Sequence, residues 1–196
     1  MLGKTVKKAA QIRGGSGSAL PGLVIEKIDS DFVSRTLQQL PMGVALISGT
    51  NGKTTTTKIV VELLESQGLK VFTNRTGSNF TRGVAAALLG EVDLHGRINA
   101  DIAVLELDEA YAVHFVKAIK PNYCLLLNVM RDQLDRFGEI DNTAKLLHNV
   151  AINTTKCVVL NRDDPRLSSP DFVNNIKSPL RSFGVNPKYS QTFPSD

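Results

Sequence analysis

The residues best suited by type to act on a phosphate are Gly49-Thr50-Asn51-Gly52-Lys53-Thr54. A lysine ammonium next to a glycine turn can reach the β- and γ-phosphates of a nucleotide, and a following threonine hydroxyl can ligate Mg²⁺. The apolar run Val44 to Ile47 precedes them and reads as a short buried strand. Helical periodicity follows from Lys53 to Gln67. Strand, turn and helix in that order aim backbone N–H groups and the positive end of a helix dipole at one point, which suits an anion. The full phosphate-loop pattern would also have glycine at position 47, where this chain has Ile47. The loop is therefore a shortened form, Gly-x-x-Gly-Lys-Thr. The plain alternative is an ordinary glycine turn opening a helix.

The elements that must hold this loop alternate along the chain. Asp29 or Ser30 is expected to cap a helix from Asp31 to about Leu40, after a short extended piece from Leu23 to Ile28. After the phosphate loop, Ile59, Val60, Leu63 and Leu64 make an apolar helix face that Gly68 ends. Lys70 to Thr73 is a second strand, and Asn74 to Arg82 is a polar loop at its carboxyl end. Val84 to Leu89 continue as a helix. Asp101 to Leu105 form a third strand that runs into Glu106-Leu107-Asp108-Glu109. Acids at that place either bind Mg²⁺ or cap the next helix, Ala110 to Lys120. Position favours Glu106 for the metal and Glu109 for the cap. A fourth strand, Tyr123 to Leu127, leads into a charged crest from Asn128 to Phe137. A helix from Asp141 to about Ile152 follows, then a fifth strand, Lys156 to Leu160, closed by Asn161-Arg162-Asp163-Asp164-Pro165. A last strand is expected near Ser182 to Gly184. Such alternation predicts an α/β protein with a mostly parallel sheet and helices on both faces. The polar clusters all fall at strand carboxyl ends, so they share one edge, where open α/β sheets bind ligands.

Composition narrows the class. The 196 residues are 42% apolar and 21% charged, ordinary for a globular chain. No apolar run approaches a membrane span, and the N-terminus lacks a secretory h-region. The net charge of +4 sits in Lys4, Lys7, Lys8 and Arg13; beyond them 19 basic residues balance 19 acidic ones. Without clustered basic residues and stacking aromatics, nucleic acid is not an expected partner. The basic leader reads as a solvated tail, with weak affinity for an anionic membrane surface as the alternative. Residues 13–22 are a glycine- and serine-rich linker, so residues 1–40 read as leader, linker and short helix, and 41–196 as the nucleotide-binding domain. Cys124 and Cys157 lack metal or redox spacing and read as buried free thiols of a reducing cytoplasm. His95, His114 and His148 are scattered and read as structural or surface residues.

Taken together the motifs resemble the Mur ligase family of ATP-dependent amide-forming ligases. Its shortened phosphate loop is similar to Gly49 to Thr54, its Mg²⁺-binding strand end to Val104 to Glu109, and its later crests to Asn128 to Arg136 and Asn161 to Asp164. The similarity covers roughly residues 40 to 165. Most of the family carries histidine in the crest, where it serves a second Mg²⁺; this chain has Gln133 there. Gln133, Ala19 to Gly22 and Asn74 to Gly83 look like the MurT branch, whose ligase-like subunits amidate lipid II. That likeness implies a phosphate-loop ATPase of the Mur central-domain type. Its nucleotide contacts would be Gly49, Thr50, Asn51, Gly52, Lys53, Thr54, Thr55 and Asn161, with Lys53 catalytic and Thr54 and Glu106 on Mg²⁺. Asn79, Arg82, Asp132 and Gln133 would face substrate. ATP would activate the D-glutamate α-carboxylate of lipid II as an acyl phosphate, for ammonia supplied by a GatD-type glutamine amidotransferase subunit. The work would be cytoplasmic, at the inner membrane face. The resemblance further implies a zinc ribbon and a C-terminal domain beyond Asp196, so this chain is expected to hold only the ATP-binding part and not to complete amidation alone. The competing expectations are a folylpolyglutamate-synthase relative and a nucleotide-binding switch, for which Asn161-Arg162-Asp163-Asp164 carries Arg in place of the guanine-reading Lys.

Overall fold

A computed structural model describes residues 25, 27–74, 81–130 and 139–185. The basic leader, the 13–22 linker, Asn79, Asp132 and Gln133 lie outside the described residues. Arg82 is on a described helix, but its side chain lies outside that set.

Six strands form one sheet: β1 (Gly43–Ser48), β2 (Val71–Thr73), β3 (Ile102–Glu106), β4 (Tyr123–Leu126), β5 (Cys157–Asn161) and β6 (Leu180–Phe183). Their order is β2-β3-β1-β4-β5-β6, and every pairing is parallel. The helices between them are α1 (Phe32–Leu37), α2 (Lys53–Ser66), α3 (Thr81–Glu91), α4 (Glu109–Ala118), α5 (Glu139–Ile152) and α6 (Pro170–Val173). From β1 the chain builds outward to β2 and β3, then crosses to add β4, β5 and β6 on the other side. The carboxyl end of β1 is therefore a topological switch point flanked by β3 and β4, the place where such sheets leave a crevice.

Strand periodicity sorts side chains between two cores. Val44, Leu46, Ala103, Leu105, Cys124 and Leu126 join the larger cluster, which holds residues of α1, α3, α4 and α5. Ala45, Ile47, Val104 and Leu125 point the opposite way, to a smaller cluster under α2. Both faces are covered, as the alternating pattern implies, but unequally. The central strand β3 is buried throughout, whereas edge strand β6 is exposed at every residue.

Several local expectations are corrected. On α2 the inward residues are Thr57 and Val61, with Val60 and Leu64 half-buried; Ile59 and Leu63 are 52% and 56% exposed. The helix sits one notch round from the predicted face, because among the described residues it packs mainly on β1, β2 and β3, which lie on one side. Ile25, Lys27 and Ile28 are helical rather than extended, closed by the Asp29 N–H donating to the Ile25 carbonyl. Asp31, not Asp29 or Ser30, occupies the cap position of α1, because the Asp29 carboxylate is drawn to Arg35. Cys124 is buried, but Cys157 is half-buried at the start of β5. Burial pushes the Cys124 thiol up to about 12. His95 and His114 are exposed, and His148 packs edge-on against Phe172.

Candidate nucleotide site at the switch point

The crevice is built from the exits of β1, β3 and β4. Gly49 leaves β1 at φ +136°, and a Cβ there would lie 3.0 Å and 3.1 Å from the backbone N and O of Asn128. The two loops touch backbone to backbone, which only glycine permits. Gly52 is left-handed at φ +82° and occupies the cap position of α2 without a side chain to offer. The first-turn N–H groups of α2 therefore have no side-chain cap and face the crevice, as an anion site requires.

Asn128 holds the loop in shape. Its Oδ1 accepts from the Asn51 N–H at 2.8 Å, its Nδ2 donates to the Asn51 carbonyl at 3.0 Å, and its own carbonyl accepts from Thr50 N–H at 3.0 Å. The Thr50 hydroxyl accepts from Met130 N–H at 3.0 Å, and the Asn51 amide lies 3.4 Å from the Met130 sulfur. Asn128 is in turn anchored from the end of β5. The buried Asp164 carboxylate accepts from Val129 N–H at 2.7 Å, Arg166 N–H at 2.9 Å and Leu167 N–H at 3.1 Å. Asn161 Nδ2 donates to the Leu127 carbonyl at 3.0 Å, while its Oδ1 accepts from Asp163 N–H at 3.0 Å. The Asn161 amide is thus engaged in bracing two strand ends.

Glu106 ends β3 beside Ile47 of β1 and is buried. Its Oε1 accepts from the Thr54 hydroxyl at 2.8 Å. The Asn74 amide clamps its backbone from β2, donating to the Glu106 carbonyl at 2.7 Å and accepting from its N–H at 2.9 Å. Thr54 and Glu106 thus bring two hard oxygen donors together at the mouth of the loop. Such a pair fits Mg²⁺, which takes one or two protein oxygens and fills its shell with water and phosphate. Thr55 is exposed on the next position of α2.

Lys53 folds back on the loop, its Nζ donating to the Gly49 carbonyl at 2.6 Å and the Thr50 carbonyl at 3.2 Å. Glu109 Oε2 faces the same ammonium at 3.9 Å. The expected capping role of Glu109 falls to Asp108, whose Oδ1 accepts from Ala110 N–H at 3.2 Å. One residue further into the helix, Glu109 projects toward α2. Burial pushes its carboxyl above the usual range, against the pull of Lys53. Sequence reading set Glu109, Asn128, Asn74 and Asp164 in the polar clusters at strand ends but assigned none of them these contacts. The signal was present, since each lies at or just beyond a strand carboxyl end, but only the sheet order tells which ends adjoin.

The fold and site define an α/β phosphate-loop class, and the comparisons make it specific. Residues 47–195 match the Mur ligase middle domain, so the chain belongs to the Mur ligase family. It is 34% identical over 180 residues to the lipid II isoglutaminyl synthase (glutamine-hydrolyzing) subunit MurT of Staphylococcus aureus strain COL, covering 90% of this chain and 38% of that one. The MurT of Streptococcus pneumoniae R6 is 35% identical over 175 residues, covering 89% and 37%. Among solved structures, the MurF ligase of Thermotoga maritima in complex with ADP superposes with a TM-score of 0.67 at 23% identity, over 84% of this chain and 36% of that one. The chain thus spans less than two-fifths of the length of these relatives.

Proposed function

We propose that this chain is the ATP-binding part of a MurT-type subunit, with residues 41–196 forming the nucleotide domain. The observation that carries this reading is the convergence of Lys53, Thr54 and Glu106 at the carboxyl end of β1. The uncapped N-terminus of α2 offers its first-turn N–H groups and its dipole to the β- and γ-phosphates, while Asn128 holds the N–H groups of Thr50 and Asn51 to shape the loop. Lys53 turns from the loop carbonyls to the transferred phosphoryl group, where the protein's task is almost wholly electrostatic. Thr54 and Glu106 are the residues that would hold Mg²⁺, which supplies charge neutralisation between phosphate oxygens when bound. The MurF relative with ADP has the same fold, which is consistent with a nucleotide in this crevice.

In the whole protein the activated group is the α-carboxylate of D-glutamate in lipid II. It accepts the γ-phosphoryl to become an acyl phosphate, and ammonia from a GatD-type glutaminase displaces phosphate to leave the amide. Asn79, Arg82, Asp132 and Gln133 are the proposed substrate-facing residues. The reaction lies at the cytoplasmic face of the membrane; no helix among the described residues is long and apolar enough to cross it.

Titration with ATP, with and without Mg²⁺, tests the site. Wild type should bind and Lys53→Ala should bind at least about tenfold more weakly, since a charge-assisted contact is worth roughly 1.5–3 kcal/mol. Equal binding by both removes Lys53 from this role.

A further inference from the structure

The ammonium of Lys53 is held by two carbonyls and faces one carboxylate. It has three N–H donors and no acceptor. Two are taken by the Gly49 and Thr50 carbonyls, which belong to the loop and travel with it. The Glu109 carboxylate, at 3.9 Å, is an ion-pair partner and not a hydrogen-bond acceptor, and it comes from a different element, the first turn of α4. The two side chains are 13% and 12% exposed, so the pair is shielded from water and salt. Asp108 takes the cap of α4, and Glu109 beside it reaches across toward Lys53. The neighbouring Glu106 carboxylate is engaged by the Thr54 hydroxyl, so Glu109 is the acid that faces Lys53.

We propose that Glu109 is the counter-anion of Lys53 within the protein, a positioning residue with which a nucleotide phosphate must compete for the ammonium. This rests on the phosphate-loop reading above. A triphosphate and the Glu109 carboxylate are both anions seeking one ammonium at one site. Holding them together costs repulsion in a sheltered place, so the carboxylate lowers nucleotide affinity and favours release after turnover. Glu109→Gln keeps the shape, removes the charge and leaves Lys53 free to meet phosphate.

The test measures ATP affinity for wild type, Glu109→Gln, Lys53→Met and the double variant. Glu109→Gln should bind ATP about fivefold tighter, the upper range for a modest ion pair. In the Lys53→Met background the same change should alter affinity by less than about twofold, because the effect passes through Lys53. A structural role for Glu109 would weaken binding, so the sign separates the two. Glu109→Ala should shift affinity in the same direction, which keeps the test open if the Gln variant folds poorly. Weaker or unchanged binding by the charge-removing variants, with Lys53→Met still weaker than wild type, overturns the Glu109 role and leaves the phosphate loop standing. Equal tightening in both backgrounds also overturns it, as a general charge effect. If wild type binds no ATP, or Lys53→Met binds as well as wild type, both readings fall together.

Discussion

Replacing Asp164 by alanine tests how the fold holds the site. The carboxylate is 7% exposed and accepts three backbone N–H groups, from Val129, Arg166 and Leu167. Hydrogen bonds to a charged group are worth about 1.5–3 kcal/mol each, so three would sum to roughly 4.5–9 kcal/mol. That sum overshoots, since half-buried Arg166 can turn to water once the carboxylate is gone. Val129 and Leu167 are 7% and 0% exposed, so their donors are stranded at about 1–3 kcal/mol each. We expect a net loss of about 4 kcal/mol. In urea unfolding with a slope near 2 kcal/mol per molar, the midpoint should fall by about 2 M. Asp164→Asn keeps one acceptor oxygen but turns an NH₂ toward one of the three donors, so it should lose about half as much. Val129 follows Asn128, whose amide clamps Asn51, so ATP affinity should also drop under conditions where the variant remains folded. A loss below about 1 kcal/mol would refute the reasoning, because it would mean that water reaches these donors freely.

Three further outcomes follow from the same geometry. Gly49→Ala should weaken ATP binding by tenfold or more and lower the melting temperature, because φ +136° and the Asn128 backbone at 3.0 Å leave no room for a Cβ. Glu109 is raised above its ordinary 4.5 by burial, so the folded chain binds the extra proton more tightly than the unfolded chain does. Its contribution is complete below 4.5 and is lost as pH rises through the folded value; melting of wild type against Glu109→Gln should show the wild type falling behind from mildly acidic to neutral buffer. Cys124, with its thiol near 12 and 1% exposed, should resist alkylation until the chain unfolds, while half-buried Cys157 labels first; mass spectrometry of the native protein reads this directly.

Much of this molecule is written locally. Val44 to Ile47 can only be a buried strand, Gly49 to Thr54 can only be a tight turn into a helix, and the repeated strand–helix alternation leaves a parallel sheet as the economical solution. Glu106 stands out because an acid at the end of a wholly apolar strand needs a partner, and it finds one in Thr54. The limits are just as physical. Periodicity put Ile59 and Leu63 on the inner face of α2, but a helix lying on one side of a sheet buries whichever stripe its crossing angle selects. Asp108 and Glu109 are adjacent acids that local chemistry cannot tell apart. Only where α4 meets α2 does one become a cap and the other a partner for Lys53.

The residues by themselves determined the phosphate loop, the strand ends that carry polar groups, and the family. These depend on neighbours within a few positions along the chain. Tertiary structure decided which strand ends meet. Its order of β3, β1, β4 and β5 sets Glu106 against Thr54, Asn128 against Asn51, and Asp164 behind Val129, contacts that join residues 35 to 77 positions apart. No local propensity encodes such pairs, because they exist only when a parallel sheet brings distant carboxyl ends to one edge.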